Sequence, residues 1–241
     1  MGTVVSFTVF TDSGDADSMI RRACAGLHRD DRMFSTWKPE SPMSRFRAGQ
    51  LDAADLTPEI SAVLDRCREL RTMTGGWFDP WAMPGGVDPT GMVKGWAAQR
   101  ALDTLVEGGA TAAMVNAGGD LAAAGTPPGE PGWRIGIRHP WQPVAFAAVV
   151  TVCGAVATSG DYERPGQLLD PATGSVSRRA ASATVVGPDL AVADALATAL
   201  AVGGSDMFER FDAIPGYEAY LIGADGAEAS TPGMPFVSSD A

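Results

Sequence analysis

Gly187-Pro188-Asp189-Leu190-Ala191-Val192-Ala193-Asp194-Ala195-Leu196-Ala197-Thr198-Ala199-Leu200-Ala201-Val202-Gly203-Gly204 is the stretch from which the fold is read. Gly187-Pro188-Asp189 is a helix start signal and Gly203-Gly204 a stop, so the pattern predicts a helix over 190–202. A helix apolar on nearly all sides belongs inside a core. Asp194 and Thr198 interrupt it. Four residues apart, they project from one helix face. Both offer hard oxygen atoms of the kind Mg²⁺ prefers, too few for a closed cage, so substrate phosphates would complete the shell. The same pair also suits a capped or solvated polar stripe on a core helix, and the helix alone leaves both readings open.

Outward from this helix, helices and strands mix without a strict βαβ rhythm, which makes α+β the expected class. Residues 4–11 are β-branched and weakly alternating, as in a strand. Residues 15–33 carry apolar side chains at helical spacing. The polar stretch 34–50, punctuated by Pro39, Pro42 and Gly49, reads as a loop. Thr57 and Pro58 supply an N-cap and a first helical position for a helix through Leu70 that Gly75-Gly76 ends. The Gly- and Pro-dense run 77–95 reads as a long functional loop, and 96–108 as a helix. Strands are expected at 112–115, 133–138, 144–152, 183–186 and 219–222. There is no internal repeat or low-complexity linker. The chain reads as a single domain over 1–241, with 230–241 expected to be partly loose.

Composition narrows the partners. Eighteen basic residues stand against 29 acidic ones, a net charge of −11, which argues against nucleic acid or an anionic membrane as the main partner. Any bound phosphate then needs local help from a cation, a helix N-terminus or backbone N–H groups. No apolar run is long enough for a membrane span. The N-terminus lacks a basic region followed by a hydrophobic core, so the expected compartment is the cytoplasm. Cys24, Cys67 and Cys153 are scattered and odd in number, fitting neither a disulfide framework nor a zinc site, and read as small buried hydrophobes.

Four Gly-rich or polar clusters punctuate the chain: Trp77-Phe78-Asp79-Pro80, Val87-Asp88-Pro89-Thr90-Gly91-Met92-Val93-Lys94-Gly95, Asn116-Ala117-Gly118-Gly119-Asp120 and Ala157-Thr158-Ser159-Gly160-Asp161-Tyr162. Such glycines let backbone N–H groups approach a planar or anionic ligand closely, although each cluster alone is also ordinary turn chemistry. Neither a Gly-x-Gly-x-x-Gly fingerprint nor a P-loop is present.

Taken in order, these clusters resemble the ApbE family, the FAD:protein FMN transferases. The resemblance also takes in Met1-Gly2-Thr3, Phe34-Ser35-Thr36-Trp37-Lys38-Pro39-Glu40-Ser41, Ser44-Arg45-Phe46, Leu169-Asp170-Pro171-Ala172-Thr173-Gly174, Ser182-Ala183-Thr184-Val185 and the Asp194/Thr198 helix, thus covering Met1 to about Gly203. It implies a two-lobed, T-fold-like α+β domain with a flavin site between the lobes. Position by position, it places flavin or adenylate contacts at Met1, Trp37, Trp77, Phe78, Asp79, Asp88, Lys94, Ala181 and Ala197. Backbone approach to the cofactor is implied at Asn116, Gly118, Gly119, Ser159 and Gly160. It puts Mg²⁺ on Asp194, Thr198 and the main-chain oxygen of Gly91. Without the resemblance, Trp37 and Trp77 would be read as ordinary packing.

Two departures from the family pattern stand out. The segment Trp81-Ala82-Met83-Pro84-Gly85-Gly86 is short where many relatives carry a longer excursion. Gln167 occupies the position of a family histidine that is a candidate base. Glutamine can hydrogen-bond a hydroxyl but cannot take its proton. Of the remaining histidines, His28 reads as a surface residue and His139 as a turn residue, leaving Asp161 and Asp170 to orient or accept a proton.

The implied reaction moves FMN from FAD, the substrate, to a Ser or Thr hydroxyl of an acceptor flavoprotein, and releases AMP. Phosphoryl transfer of this kind relies on positioning and charge neutralisation. An FAD pyrophosphatase yielding FMN and AMP, and a non-catalytic FAD-binding protein, are the alternatives, the latter motivated by Gln167.

Overall fold

The computed structural model describes residues 2–12, 14–160 and 166–237. Five helices of more than one turn form one layer: α1 (Ala16–Phe34), α2 (Pro42–Arg47), α3 (Pro58–Met73), α4 (Thr90–Glu107) and α5 (Leu190–Gly203), with the single turn α6 (Ser205–Phe208) after them. The described residues form nine strands: β1 (Val5–Phe10), β2 (Ala112–Ala117), β3 (Asp120–Ala124), β4 (Trp133–Arg138), β5 (Phe146–Val152), β6 (Ala155–Ser159), β7 (Ala180–Gly187), β8 (Glu218–Gly223) and β9 (Glu228–Ser230). Seven make an antiparallel sheet in the order β1-β2-β3-β6-β7-β8-β9, and β4-β5 pair separately. The class is α+β, as expected.

Strand alternation builds two cores from one sheet. Ala113, Val115, Ala117, Ala122, Ala155, Ala157, Ala183, Val185, Ala219 and Leu221 pack with the helices. Leu121, Ala123, Val156, Val186, Tyr220 and Ile222 face the other way, onto Trp133, Ile135, Ile137, Val150 and Val152 of the β4–β5 hairpin. The helix-facing side is rich in alanine, and so is α5, which lets that helix settle close to the sheet. Every residue of α5 except Thr198 is buried. Its predicted caps hold. Asp189 accepts from the Val192 amide at 2.9 Å, and the Gly204 amide donates to the Leu200 carbonyl at 2.8 Å.

Helix α4 is close-packed against α5. A Cβ at Gly95 would collide with the Leu190 carbonyl and lie 2.9 Å from Asp194 Cβ; one at Gly91 would lie 3.6 Å from Thr198 Oγ1. Thus Gly91 and Gly95, four apart on α4, face Thr198 and Asp194, four apart on α5. The glycines that made 77–95 read as one long loop are instead what allows the helices to touch. The helix begins at Thr90, whose amide and hydroxyl both donate to Asp88 Oδ1, at 3.0 and 2.6 Å.

Other expectations are corrected by local packing. The expected loop 34–50 contains α2, started by Ser41, which accepts from the Ser44 amide at 3.0 Å, with Pro42 following. Strands β3, β6 and β9 were not expected, because buried alanines and short length hide alternation. The tail is docked as far as Val237: the Thr151 amide donates to Pro235, and the Val237 amide to Val149. Residues 238–241 lie outside the described residues. Of the cysteines only Cys67 is buried; Cys24 is half-buried and Cys153 exposed. Among the described residues, no helix is long and apolar enough to cross a membrane.

Candidate active site

A cavity of about 740 Å³ opens beside the α4–α5 contact, within the size range of small-molecule and cofactor sites. Its wall includes Trp37, Trp77, Phe78, Asp79, Asp88, Gly91, Lys94, Ser159, Gln167, Asp194 and Thr198. Eleven expected positions, drawn from five separate segments, therefore meet at one place.

The rim is built by the loop after α1. Ser35 Oγ accepts from the Trp37 and Lys38 amides at 3.3 and 3.2 Å, while the Ser35 carbonyl accepts from the Ser41 hydroxyl and, at 3.0 Å, from that of Ser44. Lys38 pairs with Asp31 at 2.5 Å. This fixed loop presents Trp37 with 91% of its surface exposed. An indole that uncovered adds little to folding, since the unfolded chain exposes it equally, and its area stays available to a ligand. Trp77 is held differently: the Arg179 guanidinium sits 4.9 Å from its ring centre, and Gly203 lies so close that a Cβ would come within 2.8 Å of the indole.

The two acidic loop residues have protein partners. Asp79 accepts from the Trp81 amide at 2.9 Å and from Arg71 at 2.6 Å. Asp88 pairs with Arg47 at 2.7 Å, and Arg47 also donates to the Pro84 carbonyl at 2.9 Å. These contacts fold the short 81–86 segment against α2. Asp30, not singled out in the sequence, also lines the cavity. Burial raises its carboxyl above the usual range, against the charge of Arg100 at 3.2 Å.

At the floor, Asp194 is 3% exposed. Its Oδ2 accepts from the Gly95 amide at 2.9 Å, and its Oδ1 lies 3.9 Å from Lys94 Nζ. Burial pushes this carboxyl well up from 3.8; Lys94 opposes the shift and neighbouring Asp120 reinforces it. A cation at Oδ1 would reverse that balance. Thr198 Oγ1 lies 3.4 Å from Ser159 Oγ, which ends β6. The Gly95 amide, whose ordinary helical partner is the Gly91 carbonyl, is engaged by Asp194, and a carbonyl oxygen has a second lone pair in any case. Carboxylate, hydroxyl and carbonyl oxygens are a donor set that suits Mg²⁺. Among the described residues no three His, Cys, Asp or Glu side chains are grouped to hold a metal.

Asp120, quoted in the Asn116–Asp120 cluster but given no role of its own from the sequence, lies behind the cavity wall against Lys94. It is 1% exposed, pairs with Lys94 Nζ at 2.5 Å through Oδ2, and accepts from the Thr158 amide at 3.0 Å through Oδ1. The available signal was a charged residue opening an otherwise apolar strand.

Several expected positions lie off the cavity wall. Asn116, Gly118 and Gly119 make the β2–β3 turn, where Asn116 Oδ1 accepts from the Gly119 amide at 2.9 Å and both glycines have positive φ. A side chain at Gly118 would strike Thr3 Oγ1, so these glycines serve the turn. Ala181 packs on the hairpin side of the sheet, and Ala197 is fully buried in the helix core. Asp170 closes its own turn, accepting from Ala172 at 2.9 Å; its neighbours Leu169 and Pro171 line the cavity instead. Gly160 receives a 3.4 Å hydrogen bond from Gln167 Nε2. Met1 and Asp161 lie outside the described residues, as does Tyr162. His28 is exposed, and His139 lies in the turn after β4, where its Nδ1 accepts from the Trp141 amide.

The pattern of the ApbE family matches residues 1–86 and 83–221. The chain belongs to the ApbE family. Among solved ApbE structures, the protein from Thermotoga maritima superposes with a TM-score of 0.85 at 23% identity, covering 96% of this chain and 94% of that one. The flavin transferase ApbE from Vibrio cholerae gives 0.84 at 22% identity, over 99% and 95%. At these identities the likeness is one of fold. A FAD:protein FMN transferase of Rhodobacter capsulatus is 27% identical over 91% of this chain and 53% of its own length. One from Vibrio cholerae is 33% identical over 50% and 39%. The match thus spans about half or less of these curated ApbE relatives.

Proposed function

We propose that this chain transfers FMN from FAD to a Ser or Thr hydroxyl of a partner flavoprotein, in a Mg²⁺-dependent reaction that releases AMP. The observation that carries the reading is the facing of Gly91 and Gly95 on α4 with Thr198 and Asp194 on α5 at the floor of a cavity rimmed by exposed Trp37. Support also comes from family membership and from relatives named FAD:protein FMN transferase.

In this reading Trp37 and Trp77 offer aromatic faces to the flavin or adenine rings. The described wall carries Asp30, Asp31, Asp79, Asp88 and Asp194 against Lys38 and Lys94, with Arg100, Arg71 and Arg47 paired to three of the carboxylates, so it offers a pyrophosphate no cationic excess and a bound cation would help it enter. Asp194, Thr198 and the Gly91 carbonyl would hold Mg²⁺, which when bound supplies Lewis acidity to the pyrophosphate and neutralises charge on the leaving AMP. Ser159, beside Thr198, can donate a hydrogen bond to a phosphate oxygen. The acceptor hydroxyl forms a P–O bond to the FMN phosphorus as the bond to the AMP phosphate breaks. Gln167, at the wall, can orient that hydroxyl, while its proton must go to another base.

The test is incubation of the full chain with FAD and Mg²⁺, with and without a flavoprotein acceptor, following AMP and the acceptor's mass. AMP release that requires acceptor, with matching mass gain, supports transfer. Release without acceptor indicates FAD hydrolysis, and FAD left intact in both arms removes both enzymatic readings. Asp194→Ala should abolish Mg²⁺-dependent turnover; normal turnover would refute the metal assignment.

A further inference from the structure

Among the described residues, two carboxylates approach the Lys94 ammonium, and they are unequal. It lies 2.5 Å from Asp120 Oδ2 and 3.9 Å from Asp194 Oδ1. Asp120 is itself fixed, since its other oxygen accepts from the Thr158 amide at 3.0 Å, tying β3 to β6. Asp194 is fixed as well, through the Gly95 amide on its Oδ2. Lys94 thus approaches Asp194 Oδ1 without closely engaging it, while the Asp120 carboxyl itself comes within hydrogen-bonding reach of the Asp194 carboxyl; a cation would meet Asp194 on the Oδ1 side. A lysine at full hydrogen-bonding distance from Asp194 Oδ1 would occupy the position a metal ion needs and would compete with it.

We propose that Asp120 is a positioning residue that draws Lys94 away from Asp194 and so keeps the Asp194 carboxylate available to a divalent cation. The inference rests on the metal reading of Asp194. It assigns Asp120 no direct contact with metal or substrate, and it makes Lys94 an internal competitor whose position Asp120 sets. Removing the Asp120 charge lets Lys94 move onto Asp194 Oδ1. Removing both charges leaves Asp194 without a competitor.

The experiment is titration of the full chain with Mn²⁺, free ion being read by electron paramagnetic resonance and folding by thermal melting. Asp120→Asn keeps an oxygen for the Thr158 amide and should weaken Mn²⁺ binding about 10- to 100-fold, the range for outer partners of metal sites. Adding Lys94→Met to Asp120→Asn should restore binding to at least the original level, which a purely structural role for Asp120 would not do. Unchanged affinity in a folded Asp120→Asn chain, or a double variant as weak as the single, overturns the proposal. If Asp120→Asn does not fold, Lys94→Gln alone decides: the proposal requires affinity at or above the original, and a loss overturns it. Asp194→Ala separates the two levels, because undiminished Mn²⁺ binding there sinks the metal reading itself, whatever Asp120 does.

Discussion

The Gly95 amide donates to Asp194 Oδ2 at 2.9 Å, across 99 residues of chain and between two packed helices. This bond orients the carboxylate, and it exists because neither helix has a side chain in the way. Gly95→Ala is therefore expected to destabilise the chain. Alanine favours a helix interior over glycine by about 1 kcal/mol, but its Cβ would collide with the Leu190 carbonyl, and overpacking costs about 1–3 kcal/mol. Denaturant unfolding should show a lower midpoint; a raised one would mean that helix propensity wins.

Trp37 is exposed and packs against little, so Trp37→Ala should leave the melting temperature nearly unchanged. Loss of a stacked aromatic contact is worth about 0.5–1.5 kcal/mol, which corresponds to roughly a 2- to 12-fold weaker Kd for FAD. Equilibrium binding by flavin fluorescence measures it. Undiminished affinity would place the flavin and adenine elsewhere in the cavity.

Asp194 links the site to pH. Its carboxyl is raised above 3.8 in the folded chain, so as pH climbs from there the unfolded chain gives up its proton first. The folded state then binds more protons than the unfolded one, and stability falls with rising pH until the raised value is passed. A cation on the ionised carboxylate offsets that loss. The Mg²⁺-induced increase in Tm should therefore grow between roughly pH 5 and pH 8. Calorimetry with Mg²⁺ and with chelator tests this, and an increment that shrinks as pH rises would contradict it.

The cysteines should separate kinetically. Burial pushes the Cys67 thiol up to about 12, whereas Cys153 is exposed. Since the thiolate is the reactive form, alkylation of the native chain should label Cys153 well before Cys67, and Cys67 should react only on unfolding. Peptide mass spectrometry after timed iodoacetamide treatment reads the order; early labelling of Cys67 would show its helix opening locally.

The limits of the sequence as a guide follow from particular residues. Helix α5 was legible because its signals are local: an Asp cap, continuous apolar residues and a glycine stop. Helix α4 was half hidden, since Gly91 and Gly95 look like loop residues until α5 is seen against them. Its start is set by Asp88, which accepts from the Thr90 amide and hydroxyl. The site at α4, α5 and the two tryptophan segments was legible through ordered motifs. Asp120 was not, because its role depends on Lys94 and Thr158, which only the sheet brings near. Gly118 illustrates the converse: its glycine-rich setting suggested closeness to a ligand, and in the structure its near neighbour is Thr3, while a Cβ at Gly119 would meet nothing within 4 Å.

The alanine-rich inner face of the sheet has a mechanical consequence. Ala122, Ala157 and Ala183 set how near α5 lies to the strands, so that layer of methyl groups acts as a shim beneath the cavity floor. Thickening it by a single larger side chain would lift the whole helix and displace both of its oxygen donors together. The proposed activity could thus be detuned from the sheet interior without altering any residue of the cavity wall.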